Sequence, residues 1–145
     1  MSAQYSARDA AIHNAVAATT IGFYRAVDLR LGGAEEYFLE DGEWDRLGTS
    51  LHGRSAIRAA LAERSAMRKT CHLVSNLVVS SQAEDLARSE FFVTVYESID
   101  DAPLRMMSIL AGEDRLVHTA AGWKIKRRTA YRHLTTTPAR PPSGE

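Results

Sequence analysis

The chain has a single cysteine, Cys71, so an intrachain disulfide is excluded, and the paired thiol spacing of a zinc site is absent. A reducing cytoplasm is the expected setting. No run of ~20 apolar residues occurs, which excludes a bilayer-spanning helix. The N-terminal stretch carries Arg8 and Asp9 early and has no apolar segment of signal length, so the protein is expected to act where it is made. Net charge is also missing: 18 basic and 18 acidic residues cancel, and the long-range field that draws nucleic acid or an anionic membrane is not there. His13, His52, His118 and His133 stand at no metal-ligating spacing to one another or to acids, and no H-x-x-x-H pattern occurs. No bound metal is expected. There is no G-x-G-x-x-G after a strand, no phosphate-binding loop and no G-x-S-x-G elbow, so neither cofactor chemistry nor serine hydrolysis is indicated.

What is present suits one soluble domain. The chain has 145 residues, 45% hydrophobic and 25% charged, enough for a single core. Ser6-Ala7-Arg8-Asp9 has the form of a capping box, and from there Ile12, Val16, Thr19 or Thr20, Phe23 and Val27 recur at helical spacing to about Arg30. Gly32-Gly33 is expected to stop that helix. A short second helix follows over Ala34–Leu39, a turn at Asp41-Gly42, and a weakly alternating strand from Glu43 to Leu51. Gly53-Arg54-Ser55 leads into a third helix with Ile57 and Leu61 inward, ending near Met67. The period then changes to that of strands, Thr70–Ser81, Leu86–Ser98, Leu104–Val117 and Gly122–His133, joined by short polar turns that suit an antiparallel meander. Residues 1–134 form one domain on this reading, and 135–145, rich in Thr and Pro, a flexible tail.

Helices first and long strands afterwards define an α+β class: a cone-shaped α+β barrel, three N-terminal helices packed in the concave face of a curved, mainly antiparallel sheet. Such a cone leaves a mouth, and a pocket there is the expected binding site.

Tyr24 and Asp28 lie one helical turn apart near the end of the first helix and so face the same way. A carboxylate among inward Phe23 and Val27 is costly unless something donates to it. The strongest candidate donor is His72, which opens the first strongly β-patterned run. Spacing admits two readings of this pair: a dyad in which Asp28 fixes the His72 tautomer and leaves the other ring nitrogen to take a proton, or a buried hydrogen bond that only satisfies two polar groups. Tyr24 is expected to donate to a substrate oxygen or leaving group, or else to pack as an ordinary amphipathic ring. Strict alternation puts Asn76 on the His72 face. Phe23, Met106 and Tyr131 complete the expected substrate-binding set. In the middle strands both faces are apolar over part of their length, so one lines the cone and the other is expected to meet a second copy in a homodimer or homotrimer. The last strand is basic, and an inward turn of Arg127, Arg128 or Arg132 at a bulge would bring a cation to an anionic substrate group.

The order of elements, with Tyr24-x-x-x-Asp28, Asp41-Gly42-Glu43-Trp44, Gly53-Arg54, His72-Leu73-Val74-Ser75-Asn76 and Gly122-Trp123-Lys124-Ile125 at these places, resembles the SnoaL-like branch of the nuclear transport factor two superfamily. It looks most like the scytalone dehydratase and hexachlorocyclohexane dehydrochlorinase group. That resemblance implies a cofactor-independent lyase or isomerase in which Asp28 orients His72 to remove a proton from a small hydrophobic or polycyclic substrate held in the cone. Tyr24 matches a pocket tyrosine of the dehydratase relatives. The same fold also serves as a non-catalytic ligand carrier, as an accessory subunit akin to the small subunits of aromatic-ring dioxygenases, and as a polyketide cyclase with an acidic base. These are the alternatives.

Overall fold

The structure is a computed structural model that describes residues 6–135; all but the first residue of the expected tail lie outside the described residues. The capping box forms as the sequence leads one to expect. The Ser6 hydroxyl accepts from the Asp9 backbone N–H at 3.0 Å, and Asp9 Oδ2 accepts from the Ser6 N–H at 3.2 Å. Helix α1 then runs Ala7–Asp28, with Val16, Thr20, Phe23 and Val27 buried along one stripe. It ends before the glycines. Arg30 adopts a left-handed conformation (φ 50°), and the Arg30 and Leu31 N–H groups return to the carbonyls of Val27 and Ala26, a closure usually made at glycine. The Arg30 guanidinium offsets the unfavourable backbone by donating to the carbonyls of Ser65 and Arg68.

The expected second helix is one turn of 3-10 helix, Ala34–Tyr37, so the described residues form two α-helices and not three. Phe38, which the helical reading would have buried from a helix, instead opens strand β1 (Phe38–Arg46). Asp41-Gly42 is not a turn but a bulge inside β1, where a Cβ on Gly42 would lie 2.9 Å from the Ile125 carbonyl. The single strand expected from Glu43 to Leu51 is a hairpin: Leu47 and Gly48, at φ 50° and 92°, connect β1 to β2 (Thr49–His52), as a two-residue turn with both residues at positive φ does. Helix α2 is shorter than expected, Gly53–Ala62, and buries Ile57 completely.

The four long strands form as expected: β3 (Arg68–Ala83), β4 (Leu86–Ile99), β5 (Arg105–Thr119) and β6 (Gly122–Thr135). Among the described residues the sheet has six strands in the order β2-β1-β6-β5-β4-β3. It is antiparallel except for β1 beside β6, which run parallel. Helix α1 packs on the sheet against β3, β6 and β4, while Leu73, Val78, Tyr131 and Leu134 stand exposed elsewhere on the sheet.

One polar cluster fastens α1 to that face. Arg128 and Asp114 are completely buried and meet through two bonds of 2.7 Å, Nε to Oδ1 and Nη2 to Oδ2. Thr20 Oγ1 donates to Asp114 Oδ2 at 2.8 Å, and its backbone carbonyl accepts from Arg128 Nη2 at 3.0 Å. Around the guanidinium stand the rings of Phe23, Tyr24 and Phe91, at 4.8, 4.5 and 5.4 Å. Phe91 reaches it by lying across Gly112, where any Cβ would run into the ring. A buried ion pair adds little net stability against a well-packed apolar replacement, but losing one partner strands a charge. Asp114→Ala is therefore expected to destabilise the fold by about 3–5 kcal/mol, and the double replacement Asp114→Leu/Arg128→Met to recover most of that loss in chemical denaturation.

Candidate active site

Asp28 is the last residue of α1, at the end of the helix where the backbone dipole disfavours a negative charge. Three donors from β3 compensate. His72 Nδ1 lies 2.6 Å from Asp28 Oδ1, the His72 backbone N–H donates to Oδ2 at 2.7 Å, and Thr70 Oγ1 donates to Oδ1 at 2.7 Å. These bonds exist because α1 ends against the first inward positions of β3, where alternation turns Thr70 and His72 to the same face. Burial pushes the Asp28 carboxyl upward, but the His72 ring and backbone bonds, the charge of His72 and the Thr70 hydroxyl outweigh it and hold the group below its ordinary 3.8. A carboxylate accepts only, so Nδ1 carries a proton, and in the neutral imidazole Nε2 is the nitrogen left with a lone pair. Among the described residues Nε2 has no hydrogen-bond partner.

The Tyr24 ring stacks on the His72 imidazole, with centroids 4.9 Å apart and planes 23° from parallel. It is 5% exposed, and desolvation raises its phenol above the ordinary value despite the nearby Arg128 charge. Tyr24 thus stays protonated and can donate.

Both residues line a cavity of about 160 Å³. Phe23, Trp44, Val95, Leu110 and Ala130 form its buried, apolar depth. Leu47 and the guanidinium-bearing residues Arg46, Arg64, Arg68 and Arg132 stand toward the rim, exposed or half-buried. Arg64 Nη2 also donates to Thr70 Oγ1 at 2.7 Å, which links the rim to Asp28.

Of the residues expected at the site, Asp28, His72, Tyr24 and Phe23 come together, and three do not. Asn76 sits in a β-bulge at φ 51°, between the paired positions Ser75 and Val78. The extra residue reverses the alternation, so Leu77 and Val79 turn inward while Asn76 and Val78 are exposed. Tyr131 is 61% exposed and borders a different surface cleft together with Asn76. Met106 is displaced by a second bulge opposite Val95 and Tyr96; Met107 lines the cavity in its place, beside Ser108. Sequence reading missed Trp44, Arg46, Arg64 and Arg68. A signal existed for Arg68, two residues before Thr70 and four before His72 on the same strand face, and for Arg64, one helical step beyond inward Leu61. None existed for Arg46, whose position depends on the Leu47-Gly48 turn.

Among the described residues no three His, Cys, Asp or Glu side chains group as metal ligands, and no helix is long and apolar enough to cross a membrane.

Residues 5–129 match the profile of the SnoaL-like domain. The chain belongs to the SnoaL-like family. No curated protein matches it. Among solved structures, this SnoaL-like chain is similar to an NTF2-like protein with a cystatin-like fold from Novosphingobium aromaticivorans (TM-score 0.74, 18% identity, 90% of this chain and 92% of that one). It is similar also to ActVI-ORFA of Streptomyces coelicolor (0.75, 19%, 85% and 98%). A protein of Catenulispora acidiphila, solved in complex with S-DNPA, matches with TM-score 0.74 and 21% identity over 85% of this chain and 94% of that one. At these identities the likeness establishes the fold, NTF2-like, and nothing finer.

Two outcomes follow for the SnoaL-like site. A carboxyl whose folded pKa is depressed adds stability that is complete above its unfolded value near 3.8 and is lost as pH falls through the folded value. The stability gap between wild type and Asp28→Asn should therefore shrink as pH drops below ~4 in acid-denaturation series. Leu47 occupies a left-handed position that favours Asn or Gly, yet its side chain lines the cavity. Leu47→Asn is expected to raise stability by up to about 1 kcal/mol while weakening ligand binding, read by melting curves with and without ligand.

Proposed function

We propose that the protein is a cofactor-independent lyase or isomerase, dehydratase-like, that takes a proton from a carbon acid held in the cone. What carries this reading is the His72–Asp28 contact of 2.6 Å together with an unpartnered Nε2 on a residue lining an apolar cavity. His72 Nε2 accepts the proton from a carbon α to a carbonyl or β to a leaving group. Asp28, already an acceptor at Nδ1–H, stabilises the imidazolium that results. The electron pair then expels the leaving group, giving a lyase, or the proton returns to another carbon, giving an isomerase. Tyr24, protonated and stacked on His72, donates to the carbonyl oxygen or the departing group, in a pocket where low polarity strengthens each such bond.

The likeness to the scytalone dehydratase and dehydrochlorinase group belongs to this proposal, and the dyad supports it. A cyclase mechanism with an acidic base is less well supported, because both Asp28 oxygens are engaged by His72 and Thr70 and Asp28 does not line the cavity. That the Catenulispora protein was solved in complex with S-DNPA supports a ligand-binding role.

Deuterium wash-in from D2O, followed by NMR on a panel of cyclic ketones and β-hydroxy carbonyl compounds, tests the mechanism. Wild type is expected to exchange at least one class, and His72→Ala to lose about 10²- to 10⁴-fold in rate with the fold intact by circular dichroism. Exchange undiminished in His72→Ala removes His72 as the base.

A further inference from the structure

Proton abstraction makes no use of the arginines at the rim. Four arginines, Arg46, Arg64, Arg68 and Arg132, line this one cavity, and among the described residues no Asp or Glu does. In a chain whose 18 basic and 18 acidic residues balance, that is a strong local segregation of charge. The two carboxylates nearest in the network are already engaged: Asp28 by His72 and Thr70, Glu97 by Arg68 and Arg105. Burial, together with the repulsion of Arg68, Arg30 and Arg46, holds the Arg64 guanidinium below its ordinary value. The cluster is thus short of negative charge within the protein.

Donor capacity is equally unfilled. Each guanidinium carries five N–H groups in a planar fork. Among the described residues Arg64 donates to Thr70 and Arg68 to Glu97. The side chains of Arg46 and Arg132 show no hydrogen bond to those residues, that of Arg46 only lying 5.5 Å from the Trp44 ring. Polarity also changes with depth, from buried Phe23, Trp44 and Leu110 to a cationic rim. A volume of about 160 Å³ is close to the ~150 Å³ that accommodates benzene in an apolar cavity, so roughly one ring fits inside and any further group must extend to the arginines.

We infer that the rim is an anion subsite and that the substrate is a small ring compound bearing a carboxylate, its ring beside His72 and its carboxylate held by the rim guanidiniums. This rests on the reading of the cavity as a substrate site and names the class of molecule it takes. Planar forks match a carboxylate in two parallel hydrogen bonds.

Isothermal titration of the full chain with 2-naphthoate, 2-naphthamide and 2-naphthyl phosphate tests it, on wild type, Arg46→Gln/Arg132→Gln and His72→Ala. Both arginines are exposed, and their replacement is expected to leave the melting temperature nearly unchanged. Wild type is expected to bind the naphthoate about tenfold or more tighter than the amide, the double variant to bring the two within about twofold, and His72→Ala to keep the preference. Equal binding of acid and amide, no binding of either, or a preference that survives in the double variant overturns the subsite. Tighter binding of the phosphate overturns the carboxylate assignment. No turnover enters this readout, so loss of the acid preference beside His72-dependent exchange sinks the subsite alone. An intact preference without any exchange sinks the proton-transfer mechanism alone.

Discussion

The buried pair of Arg128 and Asp114 is the constraint on which the rest of the structure depends. It joins β5 to β6 and, through Thr20, holds α1 on the sheet. Thr20 lies eight residues before Asp28, about 12 Å along the axis at 1.5 Å per residue. Over that length a small change in helix orientation would carry Asp28 out of reach of His72. The same guanidinium borders the ring of Tyr24, which stacks on His72. Structural and chemical polar groups are thus one connected cluster, with aromatic rings between its two halves. Its burial makes the arrangement rigid at the expense of tolerance, since each charge has only its partner to answer it.

Much of this is legible in the sequence. The capping box at Ser6, the inward stripe of α1, the four long strands and the Asp28–His72 meeting all follow from local periodicity and from the rule that an inward carboxylate needs a donor. The misreadings have a common cause. Asn76, Met106 and the supposed turn at Asp41-Gly42 all lie at or beside bulges in the ladders of β3, β4–β5 and β1–β6, and strict alternation cannot register an added residue. The extra helix failed for another reason. Tyr37-Phe38 is apolar enough for a helix, but Phe38 gains a parallel partner in β6, a long-range pairing with no local signature.

The rim arginines show how little net charge says about a surface. Zero overall charge argues against a field that attracts polyanions from a distance. It is silent about a patch a few ångströms wide, where short-range hydrogen bonding governs recognition. Arg46, Arg64, Arg68 and Arg132 come from a hairpin, a loop, the start of one strand and the end of another, so only the closed fold assembles them.

The bulge at Asn76 has an effect on inheritance. It divides β3 into two stretches whose inward positions follow opposite parity: Thr70, His72 and Val74 before it, Leu77 and Val79 after it. A residue gained or lost on the far side can be absorbed by moving or erasing that irregularity, without turning His72 away from Asp28. The strand can therefore accept length changes at its distal half while the half that bears the dyad keeps its register, a freedom an unbroken ladder would not allow.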